Sequence, residues 1–475
     1  MLELSSLRKN KVNLSDYNCN QDIENRMLMA DFSALDLEIL EEILFSPLKI
    51  FLKKFLKNRE CGENVLKKLA KSGLFTIQGE YLIVDKEVRK YFEFQIVRFD
   101  PEFKPDMEFL AGLLRKVPIH QLPSWYSIPR SSNNIFESIV EKYLFTPQIF
   151  QRYLADLNFG ESCLHNIISD LFNSPEFKIY SSDVITKYNL NRRDFEEMML
   201  LLEFNFIGCV SYEKEDDHWI EAITPFYEWR QYLLFLKRTE PPRYPASSVV
   251  SFRKNDFAFI EDMSRILDLA AKTPLELPFW KPGAPIPQDI LFELAPHFSL
   301  SIDTADRVRF AEKYVRAVLQ KLLMIELASF SDQKLQIADG ALSWQTLSLE
   351  NRALYLYRHP KNRIVNDSLP PQMTTERNIR EAEKSIKRVL HGDWVDCDEF
   401  LKGVLVTLSE YSVIQLKRTG KHWQYSLPTY SDGEKELLKG TIFEWLFEMG
   451  MVRIGKRAEK DCFAITSFGC FLFEE

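Results

Sequence analysis

Glycine is scarce in this chain. There are 16 in 475 residues, about 3% against a usual share near 7%, which weighs against an enzyme built on Gly-rich phosphate loops. No G-x-x-x-x-G-K-[ST] stretch occurs, and Gly420-Lys421 and Gly455-Lys456 stand alone in expected turns. Without backbone amides to cradle phosphates and a hydroxyl for Mg²⁺, ATP hydrolysis is not expected. There is no G-x-S-x-G elbow either, since Gly160-Glu161-Ser162-Cys163 lacks the second glycine. No C-x-x-C pair is present. The seven cysteines, Cys19, Cys61, Cys163, Cys209, Cys397, Cys462 and Cys470, are odd in number and scattered. That fits reduced thiols in a cytoplasmic setting rather than a disulfide framework or a zinc site. Long apolar runs are missing: nothing approaches about 18 residues, so no membrane partner is expected. The start, MLELSSLRKNKVNLSDYN, shows no apolar stretch of the kind a secretory signal carries. A positive balance is missing too. Lys and Arg number 61 against 69 Asp and Glu, a net charge of −8. A dedicated nucleic-acid binder usually neutralises phosphates with a basic balance, so any such role must rest on local patches.

What is there is ordinary globular material. Apolar residues make up 45% and charged ones 27%, and the length suggests roughly three domains. The 36 phenylalanines read as core filler. Cys163 and His165 lie two apart, where side chains on a helix do not face each other, so no catalytic pair is expected. Asp393, Asp396, Asp398 and Glu399 have the composition of a hard-cation site. The three-residue spacing from Asp396 to Glu399, just before an apolar helix, reads better as a cap. The histidines at 120, 165, 218, 297, 359, 391 and 422 form no i, i+4 pair. No catalytic residue, metal or cofactor is expected.

Three proline-rich stretches read as linkers: KRTEPPRYPASSVV (237–250), TPLELPFWKPGAPIPQ (273–288) and HPKNRIVNDSLPPQM (359–373). Between them one pattern recurs. Near the end, Leu438, Ile442, Trp445 and Met449 share a helix face that Gly450 ends. Val452 and Ile454, then Phe463 and Ile465, alternate on two strands around the turn GKRAEKD, and Thr466 or Ser467 caps a helix from about Phe468. The same order appears at 195–236, with Ser181 or Ser182 and then Asn191 as caps upstream, and Thr224-Pro225 as the start of the helix after the hairpin. It appears again at 46–92, with Gly73 ending a helix, Gly79-Glu80 as turn and Asp85 as cap, and more weakly at 315–357 with the turn SFSDQK. Helix, helix, helix, two-stranded wing, helix is the order of a winged-helix domain. The expected fold is therefore mostly α with small β-hairpins, in tandem winged-helix units. The boundaries are 33–100 (unit 1), 101–160 (helical connector), 161–238 (unit 2), 239–284 (linker and helix), 285–358 (unit 3) and 374–475 (C-terminal unit).

The last 100 residues also carry a likeness. Asp393, Trp394, Val395, Asp398, Glu399, Phe400 and Leu401 are followed by Trp445, Leu446 and Gly450, then by Phe463, Ile465, Thr466 and Gly469. This arrangement resembles the winged-helix regions found beside XPB-type helicases in bacteria. The helicase motor itself is absent. The resemblance implies a helicase-associated DNA-binding accessory rather than an enzyme.

Basic patches are the remaining signal. Lys49, Lys53, Lys54, Lys57, Arg59, Lys67, Lys68 and Lys71 face only Glu60 and Glu63, a local balance of +6. Lys67, Lys68 and Lys71 fall in the helix expected to read a groove. The hairpin turn LKRTGKHW supplies Lys417, Arg418 and Lys421, and the last wing supplies Arg453, Lys456, Arg457 and Lys460. These ten are the candidate nucleic-acid-binding residues. Glu213, Glu215, Asp216 and Asp217 make another wing acidic, fit for a protein contact. The expected function is association with nucleic acid, double-stranded DNA foremost, as an accessory or scaffold. A protein-interaction scaffold without nucleic-acid binding is the alternative, and nothing fixes the oligomeric state.

Overall fold

In a computed structural model, residues 18–56, 62–115, 135–157, 162–216, 218–300, 304–390, 392–420 and 422–474 are described. The chain divides into two bodies. One holds the residues up to Phe235 together with Ile414–Ser426; the other holds Leu236–Val413 and Leu427–Glu475. Both are mostly helical with small antiparallel sheets.

The first body opens with α1 (Cys19–Ala30), then α2 (Ala34–Phe45), β1 (Lys49–Phe51), α3 (Leu52–Leu56), α4 (Gly62–Ala70), β2 (Phe75–Gln78) and β3 (Tyr81–Val84). Next come α5 (Lys86–Gln95), α6 (Met107–Arg115), α7 (Ile135–Ile139) and α8 (Pro147–Asp156). The order of the α2–β3 segment then returns as α9 (Ser162–Asn173), β4 (Ile179–Tyr180), α10 (Ser181–Tyr188), α11 (Arg192–Phe204), β5 (Gly208–Glu215) and β6 (His218–Pro225), with α12 (Tyr227–Arg238) after it.

The second body starts with two short strands, β7 (Arg243–Tyr244) and β8 (Val250–Ser251). The order returns a third time as α13 (Ala258–Lys272), β9 (Leu275–Glu276), α14 (Gln288–Leu294), α15 (Ala305–Met324), β10 (Ala328–Ser331) and β11 (Lys334–Ile337). After α16 (Gly340–Gln345) and α17 (Leu349–Arg358) comes the fourth: α18 (Glu376–Glu383), β12 (Trp394–Asp396) and α19 (Cys397–Leu401). The hairpin β13 (Leu416–Thr419) and β14 (His422–Tyr425) intervenes. Then follow α20 (Asp432–Gly440), a π-helical stretch Thr441–Leu446, β15 (Val452–Arg457), β16 (Lys460–Ile465) and α21 (Ser467–Glu474). In every repeat the first strand pairs antiparallel with the last, giving the orders β1-β3-β2, β4-β6-β5, β9-β11-β10 and β12-β16-β15.

The junction between third helix and hairpin is built alike in all four. The helix ends in a left-handed residue, Gly73 (φ 74°), Phe206 (62°), Glu326 (59°) or Gly450 (73°). The next residue, Leu74, Ile207, Leu327 or Met451, is buried. In the last three its amide reaches back over the helix end, Ile207 to the Leu202 carbonyl at 3.0 Å, Leu327 to Leu322 at 2.9 Å and Met451 to Leu446 at 3.0 Å. That satisfies an orphan carbonyl while an apolar side chain closes the core. Gly450 is needed twice over: a Cβ there would meet Phe257 Cδ1 at 2.8 Å and the Asp256 carbonyl at 2.9 Å.

The first hairpin turns on Gly79-Glu80 as expected, while the third and the last turn on two residues, Asp332-Gln333 and Ala458-Glu459, rather than on the longer charged loops expected. Positive φ at Gly79 (61°), Asp216 (53°), Asp332 (51°) with Gln333 (62°), and Ala458 (45°) with Glu459 (66°) matches the twist of the flanking strands. The stretch read as the turn GKRAEKD is mostly ladder, with Lys456 opposite Asp461 and Arg457 opposite Lys460.

The proline-rich stretches are part of the fold. Residues 237–250 and Ser251 supply β7 and β8, which flank the last sheet as β7-β12-β16-β15-β8. Residues 273–288 supply β9 and bury Leu277, Trp280 and Ile286, and 359–373 bury Asn362, Ile364 and Leu369. Prolines end helices, but the apolar residues between them still found cores. Residues 414–426 belong to the first body, where the Leu416 amide meets the Phe145 carbonyl at 2.8 Å and Tyr425 Oη donates to the Leu144 carbonyl at 2.8 Å. The sequence reading had put them in the C-terminal unit.

Capping follows the sequence in most places. Asp85, Asn191 and Thr466 accept amide protons at helix starts, and Ser431 with Glu434 makes a reciprocal box. Thr224 does not cap: β6 runs through Pro225 and α12 begins at Tyr227. Neither Ser181 nor Ser182 caps α10, whose cap position is Tyr180 without a side-chain bond.

Candidate interaction site

A helix that reads a groove must keep one face open along its length. Three of the four third helices do not. In α11, Met198–Phe204 is buried but for half-buried Leu201. In α15, every residue from Tyr314 to Leu322 is buried. From Trp445 to Val452 the fourth is buried without a break. In α4, Asn64 and Lys67 are exposed, with Lys71 just past its end; the N-terminal half of α15 exposes Asp306, Arg309 and Lys313 at the same spacing.

The buried faces carry ion pairs. In the first body, Arg98 holds Glu203 through two nitrogens at 2.6 and 3.0 Å, Arg26 bonds the same carboxylate, and Arg26 Nε lies 3.2 Å from Asp22 Oδ1. Burial opposes ionisation of Glu203, but the two guanidiniums hold its carboxyl down to about 2. In the second body, Lys321 Nζ, fully buried, sits 3.0 Å from Glu448 Oε2 and 2.7 Å from Asn362 Oδ1. One half-buried acid there has less support. Glu444 Oε1 accepts from Asn366 Nδ2 at 3.1 Å, while Oε2 accepts no hydrogen bond. Burial, and then Glu448, push its carboxyl up to about 8.

The ten candidate cations fare differently from one another. Arg453 grips Asp256 through two bonds, 2.5 and 2.9 Å. Lys456 lies 3.6 Å from Asp306 and 3.9 Å from Glu459. Lys460 reaches buried Asp396 Oδ2 at 3.2 Å, and the Arg457 guanidinium stacks 4.0 Å over the Tyr244 ring. Lys68 holds Asp36 at 2.8 Å beside the α2 cap. Arg418 pairs with Glu108 at 2.8 Å, which also accepts Trp423 Nε1 at 3.1 Å. Lys67, Lys71 and Lys417 are exposed. Lys421, Lys57, Arg59, Asp217, Cys61, His120, His391 and Gly160-Glu161 lie outside the described residues, as do the side chains of Lys54 and Glu63. Sequence brought the last wing's cations together correctly, but their acidic partners come from Asp256, Asp306 and Asp396, far away along the chain.

Asp396 is a cap, accepting the amides of Asp398 at 2.9 Å and Glu399 at 3.1 Å. Among the described residues no group of three or more His, Cys, Asp or Glu could hold a metal ion, and no helix is long and apolar enough to cross a membrane.

One surface was not foreseen. Six of the sixteen exposed large apolar side chains among the described residues lie in the first repeat: Leu35, Phe45, Leu48, Phe51, Ile77 and Tyr81. Leu82 and Val84 of β3 turn into the core, so the alternate residues face out. Phe51 and Tyr81 are register partners whose rings lie 5.5 Å apart, and Lys49 Nζ sits 4.1 Å over the Tyr81 ring. Lys53 pairs with Glu80 at 2.6 Å beside them. The sequence marked this segment by its cations; alternation alone does not say which side of a three-residue strand meets water.

Comparison with protein-family models, with curated proteins and with solved structures finds no match for this chain.

Proposed function

We propose that the chain is a non-enzymatic array of four winged-helix units that acts as a protein-interaction scaffold, its partner docking on the outer sheet face of the first unit. The order helix, strand, helix, helix, hairpin, with the first strand on the last, is that of a winged helix and supports the array. The observation that carries the function is the exposed pair Phe51 and Tyr81 beside Lys49, in the repeat that also exposes Phe45 and Leu48. Exposed apolar groups concentrated at one place mark interaction surfaces. The cation on the Tyr81 ring favours a partner segment with carboxylates next to its apolar residues. Scattered cysteines with no C-x-x-C pair fit a reducing, cytoplasmic setting.

Asn64 and Lys67 on α4, with Lys71 just past its end, favour a second reading, in which the first unit alone touches duplex DNA as a helicase-associated accessory. A photo-crosslinking residue separates the two. With p-benzoylphenylalanine in place of Phe51 or Tyr81 in the full chain in cells, the scaffold reading expects one discrete protein adduct. Lys49→Glu should weaken it, and the same group at exposed Tyr411 should not give it. Adducts to nucleic acid only, or equal protein adducts from position 411, would contradict the reading.

A further inference from the structure

The second body contains a cavity of about 890 Å³ between α15, the helix running from α20 into its π-helical continuation, and the β15–β16 hairpin. Its size is that of a small-molecule site. Two rings on one side, Phe252 and Phe310, stack at 4.5 Å, and Phe443 and Phe447 add apolar wall. The two walls differ in charge balance. α15 brings Arg307, Arg309 and Lys313 with Asp306; the opposite wall brings Glu436, Glu444 and Glu448 with Lys439. At the buried end the same two helices close on each other through the Lys321–Glu448 pair at 3.0 Å. Toward solvent, Arg309 and Lys313 stand exposed on α15. The π-helical stretch Thr441–Leu446 forms the acidic wall, and such stretches recur at functional sites. It carries Glu444, whose Oε2 is a buried acceptor without a donor. Buried acceptors are costly unless something supplies a proton donor.

We propose that this cavity binds a small zwitterion with an apolar side chain, a hydrophobic amino acid or short apolar peptide. The ligand's carboxylate lies at Arg309 and Lys313, its ammonium at Glu444 and its side chain on Phe310 and Phe443. The ligand completes at the open end the charge pairing that Lys321 and Glu448 make at the closed end.

The site lies wholly in the second body and does not depend on the protein partner proposed above. Calorimetric titration of the full chain with the dipeptide Leu-Phe tests it, with N-acetyl-Leu-Phe and Leu-Phe amide as probes lacking one charge each. Saturable binding at one site is expected, weakened at least about tenfold by either blocked end. Glu444→Gln should weaken the parent dipeptide but leave N-acetyl-Leu-Phe unchanged, and Arg309→Gln with Lys313→Gln should do the same toward the amide. No saturable binding up to about 10 mM dipeptide, or equal binding of parent and blocked probes, overturns the proposal. The blocked probes decide it on the unaltered chain should a variant fail to fold.

Discussion

Glu203 shows how a single residue can be legible as a letter and illegible as a role. It stands in the apolar run FEEMMLLLEF and is fully buried between Arg26 and Arg98. Those partners lie 177 and 105 residues away, beyond any pattern that a local reading detects. Removing one partner of such a cluster leaves buried charge uncompensated, so Glu203→Gln should cost about 3–5 kcal/mol in denaturant unfolding. The pH dependence has a definite sign. The native carboxyl is held at about 2, below its ordinary value of 4.5. Its contribution is present in full above 4.5 and is lost as pH falls through about 2. The unaltered protein should therefore lose stability more steeply than Glu203→Gln across that acid range. Equal slopes would mean that the cluster does not favour the ionised form.

At the scale of elements, the sequence served best where local chemistry decides. The face Leu438, Ile442, Trp445, Met449 is buried as its spacing implied, and Gly73 and Gly450 end helices in the left-handed region. Phe206 and Glu326 occupy the equivalent position without being glycine. Strand ends were less readable. Thr224-Pro225 has the letters of a helix start, but pairing with Cys209 and Gly208 keeps both residues in the sheet. Gly450 gives the sharpest test of the shared junction. Gly450→Ala combines a positive φ with a Cβ against the Asp256 carbonyl, and should destabilise the fold by about 2 kcal/mol or more. Glu326→Gly, at the same position of the third repeat, should instead be neutral or stabilising in the same unfolding assay, by up to about 1 kcal/mol. A neutral Gly450→Ala would remove the argument that this junction needs its glycine.

For the whole molecule, the mostly helical architecture with small hairpins was legible, and so was the recurrence of one order of elements. The use made of the hairpins was not. In the last repeat the expected wing is the middle of a five-stranded sheet, and Arg453, Lys456 and Lys460 each face a carboxylate of the same body. The central claim is that these cations hold the fold rather than meet a polyanion. Equilibrium titration of duplex DNA over a range of salt tests it most directly. Each phosphate contact contributes about −0.9 to the slope of log K against log salt. Any low-salt binding should have a slope no steeper than about −3, the most that exposed Lys67, Lys71 and Lys417 allow. It should vanish on Lys67→Ala, Lys71→Ala and Lys417→Ala together and be unmoved by Lys456→Ala, Arg457→Ala and Lys460→Ala together. A steeper slope that the triple substitution flattens by about 2 to 3 would contradict the claim and return the last wing to the nucleic acid.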